Sequence, residues 1–446
     1  MNPPCGNYPG NDAISEVRPI ERRGRLACID AIKGIALLGI VIENVRFFSM
    51  PFARAIASPW SFEGNTLDRI LAALDLAFGH QKFLALFTLL FGFGLAAQRK
   101  RLIAARSPML PFEFRRLFWL GAIGLLHALG LFFGDILFVF AGVGVMTLPL
   151  LSRSIRLRLT LGLFLILLSG VLVARTPLQR WLAPTSDAIT PVATLPLNEI
   201  TTPVEPNTPD PLSISVTDLE RPPLPAVGPW TDVTRQRFNS WRGSMSYTVR
   251  FYGWFLFGLV LLGTVLHERG FFRPEARSWR SRVSLGCLSI GVPLEIMHAL
   301  PPEFRGTGGA VAVWWAFVHP IAAAAVAVGY AGVIADLVER GRLPMTRCFA
   351  AVGSMSLTAY LLQSILLASI FRWWGLGWFG TVGQSMAIAI GVTVYGVVLV
   401  ASLLWNRHFL LGPCEWLWRW FTYLQRPPIR RHPQSSAPQR GIDLQR

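Results

Sequence analysis

Apolar residues run along this chain in long stretches, and short basic segments separate them. Ten stretches approach the roughly 20 residues that cross a hydrocarbon core of about 30 Å. They are 29–49, 78–97, 117–133, 135–151, 158–174, 250–267, 281–299, 309–335, 348–371 and 382–404. A segment in lipid must pair its own backbone groups, so the pattern predicts an all-α fold, a polytopic membrane bundle of about ten transmembrane helices. The second stretch opens on His80, Gln81 and Lys82, and the fourth has only 17 residues. These two are the weakest spans. Residues 67–77 alternate Leu67, Ile70, Leu71 and Leu74 with Asp68, Arg69 and Asp75, the period of an interfacial helix leading into the second span.

Positive charge tests the count, because a wrong number of spans would scramble its alternation between loops. With the N-terminus inside, the segments 1–28, 98–116, 152–158, 267–282, 338–347 and 405–446 hold 28 of the 42 Lys and Arg. The intervening outer segments are poor, with Arg54, Arg305 and Arg372 each alone in a loop. Both termini are therefore expected in the cytoplasm, with the chain crossing a membrane many times. Residues 175–249 are expected to be a translocated, extended outer loop: the stretch 175–245 carries 12 of the 32 prolines. The chain thus divides into a cytoplasmic tail (1–28), a membrane half of five spans (29–174), the Pro-rich outer loop (175–249), a second half of five spans (250–404), and an interfacial helix with a disordered cytoplasmic tail (405–446). Two halves of five would be inverted relative to each other, an arrangement found in transporters, although no sequence echo links them.

Composition agrees with lipid as the solvent: 52% of residues are hydrophobic and 15% charged. The net charge of +17 is spread over six cytoplasmic segments facing anionic headgroups, which removes the need for a nucleic-acid partner. Five cysteines without paired spacing exclude a disulfide scaffold. No HExxH, GxxxxGK[ST] or GxSxG occurs, and the histidine spacings match no metal motif.

Ionisable groups inside spans are costly and are functional candidates by default. Glu43, Asn44 and Arg46 lie toward the outer end of the first span, about 20 Å from Asp30 by helical rise. His80 and Lys82 enter the second span from outside, His127 is mid-to-outer in the third, and Asp135 heads the fourth. Glu295 and His298 end the seventh, and His319 lies in the outer third of the eighth. Simpler readings stand beside these. Glu43 and Arg46 at i, i+3 can pair with each other, Lys82 can snorkel, Glu295 can pair locally with His298, and Asp30 with Lys33. His127 and Asp135 fall about 12 Å apart on a continuing axis, so no direct bond is expected, and Asp135 after Gly134 reads as a helix cap.

Several of these residues also carry a family resemblance. Asp30-Ala31-Ile32-Lys33-Gly34 with Asn44, Lys82-Phe83, Leu90-Phe91-Gly92-Phe93-Gly94, Arg115-Arg116, His127 and Gly134-Asp135 resemble the N-terminal signature of the YeiB-like bacterial membrane proteins. Gly353, Leu357-Thr358, Tyr360 to Ser364 with Gln363, Gly412-Pro413, Glu415 and Arg419 are similar to the domain of unknown function that defines that family. Lys33 stands where the family usually has Arg, and Ser354, Ser356 and Ala359 depart mildly. The family has been suggested to act in transport. The Asp-basic-Gly pattern also resembles type 3 membrane acyltransferases and heparan glucosaminide acetyltransferases, in which acyl-CoA on the cytoplasmic side supplies an acyl group to a sugar or lipid acceptor across the membrane. Asn44 stands where the type 3 group has a histidine, and asparagine cannot take the proton.

An acyltransferase would accordingly use His80 or His127 as general base with Asp135 orienting. Asn44, Arg46 or Lys82 would stabilise the oxyanion, and Arg99, Lys100, Arg101, Arg115 and Arg116 would hold CoA phosphates. Acyl-CoA is then a co-substrate, with no tightly bound cofactor or metal. The alternative is a small-solute transporter in which Glu43, Asp135 and Glu295 carry protons, with His298, His319 and Gln363 among the substrate contacts.

Overall fold

The computed structural model describes residues 27–56, 58–61, 65–106, 108–182, 230–372 and 374–430. The N-terminal tail, most of the Pro-rich segment and the C-terminal tail fall outside these residues. Within them the chain is helical, with one isolated bridge between Phe409 and Arg430 and no strand. In order the α-helices longer than two turns are α1 (Ala27–Ser49), α2 (Thr66–Leu74), α3 (Lys82–Ala104), α4 (Met109–Gly130), α5 (Leu137–Thr147), α6 (Ile155–Leu182), α7 (Trp230–Tyr247), α8 (Gly253–Glu268), α9 (Arg277–Ala299), α10 (Gly309–Glu339), α11 (Thr346–Ser354), α12 (Ser356–Phe371), α13 (Gln384–His408) and α14 (Pro413–Tyr423).

Every apolar stretch coincides with a helix, but the stretches differ in character. Five helical segments are long and apolar enough to cross a membrane: Thr66–Ala104, Ile155–Leu182, Arg237–Glu268, Gly309–Glu339 and Gln384–His408. The pair α11 and α12 makes a sixth if counted as one span, although it bends by 88°. The remaining four either carry more charge, as α1 does through Asp30, Lys33, Glu43 and Arg46, or are short, as α5 is.

Around an apolar centre, the outer helices turn apolar faces outward and polar groups inward. On α2, Leu67, Ile70 and Leu74 are exposed whereas Asp68 is buried. On α6, Leu163, Phe164, Leu167 and Val171 face outward while Arg158, Ser169 and Gly170 face inward. Apolar side chains outside and charged ones inside are stable only where the surroundings are themselves apolar. The centre is α8, whose residues Phe255 to Leu261 are all buried. Glycines let its neighbours approach to backbone contact: a Cβ on Gly92 would stand 2.1 Å from the Val260 carbonyl oxygen, and one on Gly263 2.1 Å from that of Leu89.

Three expectations are corrected. The stretch 348–371 is not one straight helix. Met355 leaves helical geometry (φ −127°, ψ 46°), and Glu415 of α14 accepts hydrogen bonds from the N–H groups of Leu357 (2.7 Å) and Thr358 (3.2 Å). A buried carboxylate thus caps the helix start that the break exposes. The second span does not begin at residue 78, because a π-helical turn, Asp75–Gly79, separates α2 from α3. The outer segment 175–249 is helical at both edges, through Leu182 and from Trp230.

Helix α11 lies against α1, where a Cβ on Gly353 would come within 1.8 Å of the Asp30 carbonyl oxygen. Gly353→Ala is expected to force the two helices apart and cost roughly 1–3 kcal/mol. Gly94→Ala, where nothing lies within 4 Å, is its control. Thermal denaturation in detergent would separate the two, and equal midpoints would refute the close packing.

Candidate functional site

The junction of α2 and α3 builds the site. The π turn ends with the His80 N–H donating to the Asp75 carbonyl at 2.7 Å, and Gln81 follows in the left-handed region at φ 62°. That conformation costs a non-glycine residue about 1–2 kcal/mol, and π turns recur at functional sites. Here it turns Asp75, His80 and Lys82 inward. The Gln81 N–H is taken up by Glu43 Oε2 at 3.3 Å.

Two linked ion-pair groups result. In the first, His80 Nδ1 lies 3.1 Å from Glu43 Oε1 and 3.2 Å from Arg46 Nη2, and Arg46 reaches Asp75 Oδ2 at 3.3 Å. Nδ1 accepts from Arg46 when it lacks its proton and donates to Glu43 when it carries one, so the contact pattern follows its protonation. In the second, Lys82 Nζ donates to Glu295 Oε2 at 2.7 Å and to the Leu76 carbonyl at 2.5 Å. His319 Nδ1 lies 3.0 Å from Glu295, and His298 Nδ1 lies 3.9 Å from Glu295 Oε2. Imidazole rings join the groups: His80 stacks on His319 at 5.7 Å, and His298 lies 4.9 Å from His319 and 5.3 Å from Trp315.

Glu43 and Arg46 therefore find their partners on other helices rather than in each other. Lys82, whose side chain is 0% exposed, does not snorkel. The ends of α1 and α9 and the starts of α3 and α10 supply these groups, so all of them gather at one end of the bundle.

A cavity of about 490 Å³ adjoins the second group, with His298, His319, Trp315, Tyr247, Tyr252, Arg305 and Gln81 in its wall. Tyr252 closes a second π turn, Thr248–Tyr252. Three buried wall atoms have no hydrogen-bond partner: His319 Nε2, His298 Nδ1 and Trp315 Nε1. Glu295, His298 and His319 each offer a ligand atom, all within 4.8 Å of one another, and are the residues able to hold a metal ion. Glu295 and His298 share a face of α9 in the sequence, whereas His319 joins them only because α10 packs antiparallel to α9.

The expected separation of His127 and Asp135 is also corrected. α4 ends at Gly130, the Phe132 N–H returns to the His127 carbonyl at 3.0 Å, and the chain reverses. His127 Nδ1 and Asp135 Oδ1 then meet at 2.7 Å, while Asp135 Oδ2 accepts from the Phe138 N–H at 2.8 Å. Asp135 is both a cap and a histidine partner. The His127 ring lies 5.0 Å from that of Tyr360, and its buried Nε2 is unpaired. His127 does not line the cavity. Gln363, one turn beyond Tyr360 on α12, is buried with Nε2 unpaired.

The remaining candidates are dispersed. Asn44 is half-buried on α1 and makes no side-chain hydrogen bond among the described residues. Arg99, Lys100 and Arg101 end α3 at the opposite pole, with Arg101 bonded to Gln98. Arg115 donates to the Thr422 carbonyl, and Arg116 reaches Glu113 at 3.0 Å and covers the Trp418 ring at 5.1 Å. These two arginines are engaged in docking α14. Asp75, Tyr252, Trp315 and Arg305 were not singled out by sequence reasoning. Asp75 had a signal, a carboxylate next to an apolar run, but its period assigned it to a surface face.

Residues 266–425 match the model of a family described as "Protein of unknown function (DUF418)". The chain is 27% identical to "Uncharacterized protein YxaH" of Bacillus subtilis (strain 168), over 94% of this chain and 99% of that protein. It is likewise 27% identical to "Uncharacterized protein YeiB" of Escherichia coli (strain K12), over 89% and 96% respectively. An "Uncharacterized 39.9 kDa protein in amylase 3'region" of Bacillus acidopullulyticus is 20% identical over 92% of this chain and 97% of its own length. No solved structure matches. The family match covers the helices that supply Glu295 and His319, the full-length relatives cover those that supply Glu43, His80 and Lys82, and the chain is thus similar to the YeiB-like proteins over most of its length.

Proposed function

We propose that the protein is a ten-span inner-membrane acyltransferase that passes an acyl group from cytoplasmic acyl-CoA to a hydroxyl of an outer-side sugar or lipid. The observation that carries this reading is the cavity whose wall holds His298 and His319, with Glu295 directly behind them. One pole of the bundle gathers Arg101, Arg115, Arg158 and Arg280. Under the positive-inside rule that pole is cytoplasmic, both termini lie there, and the cavity opens toward the outer side. In the reaction the acceptor oxygen bonds to the acyl carbon, the carbon–sulfur bond breaks, and the hydroxyl proton ends on the CoA sulfur.

The Glu295, His298 and His319 wall is the group that withdraws the proton. This moves the role from His80, whose Nδ1 is engaged by Glu43 and Arg46, and from His127, which stands away from the cavity. Arg99 and Lys100 remain the residues for CoA phosphates, because Arg115 and Arg116 hold α14.

Calorimetry of the detergent-purified protein should show acetyl-CoA binding that free CoA and ATP do not reproduce. His319→Ala should lower transfer of a labelled acyl group by about 10²–10⁴-fold, the usual worth of general acid–base assistance. A folded protein that binds no acyl-CoA would refute the proposal. The row of three histidine rings between buried carboxylates favours one other reading, proton-coupled export of a small solute. That reading requires flux of an unmodified compound in proteoliposomes.

A further inference from the structure

We propose that Glu295, His298 and His319 form a site for a transition-metal dication, zinc by the chemistry of the donors, with its fourth position facing the cavity. Two imidazoles and one carboxylate are a borderline donor set suited to zinc, and three protein ligands beside an open position is the arrangement of catalytic rather than structural zinc. Glu295 and His298 stand at i, i+3 on α9, so they project from one face. His319 comes from α10 against that face. Ligands about 2.0–2.2 Å from zinc lie roughly 3.3 Å from each other. The three donor atoms are already within 4.8 Å of one another, so a shift of about 1.5 Å or less between them reaches that spacing.

Independent support comes from hydrogen bonding. Glu295 is fully buried between Lys82 and His319, while His298 Nδ1 and His319 Nε2 are buried without a hydrogen-bond partner. Orphaned atoms are uncommon in folded interiors, and here one falls on each of the two imidazoles of a single cluster. Lys82, 2.7 Å from Oε2, fixes the carboxylate plane from behind, as outer partners of ligating carboxylates do. Glu43, Asp75 and Glu295 balance Arg46, Lys82 and Arg305, so with neutral imidazoles the locality carries no net positive charge to repel a dication.

This inference does not depend on acyl transfer. If that reading holds, the ion would supply Lewis acidity toward the acceptor hydroxyl, and His298 and His319 would act as its ligands in place of withdrawing the proton themselves. If it fails, metal binding stands.

The test uses the full-length protein, purified in detergent without a polyhistidine tag. Metal analysis by mass spectrometry should find about one zinc per chain. Chelator-treated protein should rebind zinc by calorimetry and give visible ligand-field bands with Co²⁺. Loss of an outer-sphere partner alone costs roughly 10–100-fold in affinity, so His298→Ala and His319→Ala should each weaken zinc binding by more than about tenfold and abolish the Co²⁺ bands. His298→Ala leaves the Lys82–Glu295 pair in place and should keep the protein folded by size-exclusion chromatography. His127→Ala, outside the cluster, should bind as the parent does. Zinc affinity in the folded parent equal to that of the His298 and His319 variants would overturn the proposal, as would equal loss in His127→Ala.

Discussion

Lys82→Met is expected to destabilise the protein by about 3–5 kcal/mol, because it leaves the Glu295 carboxylate buried without its counter-charge. Both side chains are 0% exposed, and Nζ also carries the Leu76 carbonyl. Glu295→Leu should cost a similar amount by stranding the ammonium. The double variant Lys82→Met/Glu295→Leu should recover most of the loss, because replacing a whole buried pair with apolar groups of like volume is often neutral or better. Unfolding of each variant in detergent gives the cycle directly. Additive losses would show that the two side chains act separately and would remove the second ion-pair group as a unit. The same cycle separates stability from chemistry: a double variant that folds but neither binds metal nor transfers acyl groups would show that the pair serves the site apart from its contribution to stability.

At the opposite pole, Arg280→Met should have a comparable effect. The guanidinium of Arg280 is fully buried and donates to Asp336 and, at 2.5 Å, to Glu339 of α10. It also donates to the carbonyls of Phe271 at 3.0 Å and Arg273 at 3.3 Å. Its loss unpairs two carboxylates and two carbonyls, a change worth about 3–5 kcal/mol, tempered because Asp336 and Glu339 reach solvent in part. Arg280→Lys should not rescue it, because an ammonium cannot reproduce four donors held in one plane. The expected result is a lowered unfolding midpoint and reduced membrane abundance for both variants, with metal binding at the far pole preserved in the protein that remains folded. A lysine variant as stable as the parent would show that charge alone suffices there.

Much of the architecture was legible in the order of residues. Each of the ten apolar stretches became helix, α14 formed within 405–446 where an interfacial helix was expected, and α2 had the expected period. The orientation of α2 was not legible. Its period separates two faces, but Asp68 accepts from the Ser385 N–H at 2.6 Å at the start of α13, so the acidic face turns inward and the leucines outward. Periodicity identifies faces; it does not say which neighbour each face meets.

The candidate site divides in the same way. Residue types and depth marked Glu43, Arg46, His80, Lys82, Glu295, His298 and His319 as costly polar groups near one end of their helices, and the structure brings these seven together. Their pairing was another matter. Spacing along one helix favoured Glu43 with Arg46 and Glu295 with His298, because i, i+3 neighbours share a helix face. His298 does stand 3.9 Å from Glu295, but the shorter contacts come from elsewhere: from Asp75 and His80 at the turn between α2 and α3, from Lys82 of α3 and from His319 of α10. The 2.7 Å contact of His127 with Asp135 was missed for a related reason: rise per residue holds only while a helix continues, and α4 stops at Gly130.

The sequence by itself determined the solvent, the helices and the end of the bundle where polar groups collect. These follow from the cost of leaving backbone and charge unsatisfied in lipid, which every residue feels locally. Only the tertiary structure decided which charges pair, that Lys82 is buried, and that one carboxylate and two imidazoles face a common cavity. Those outcomes rest on contacts between helices distant in sequence, where a displacement of about an ångström separates a 2.7 Å ion pair from none.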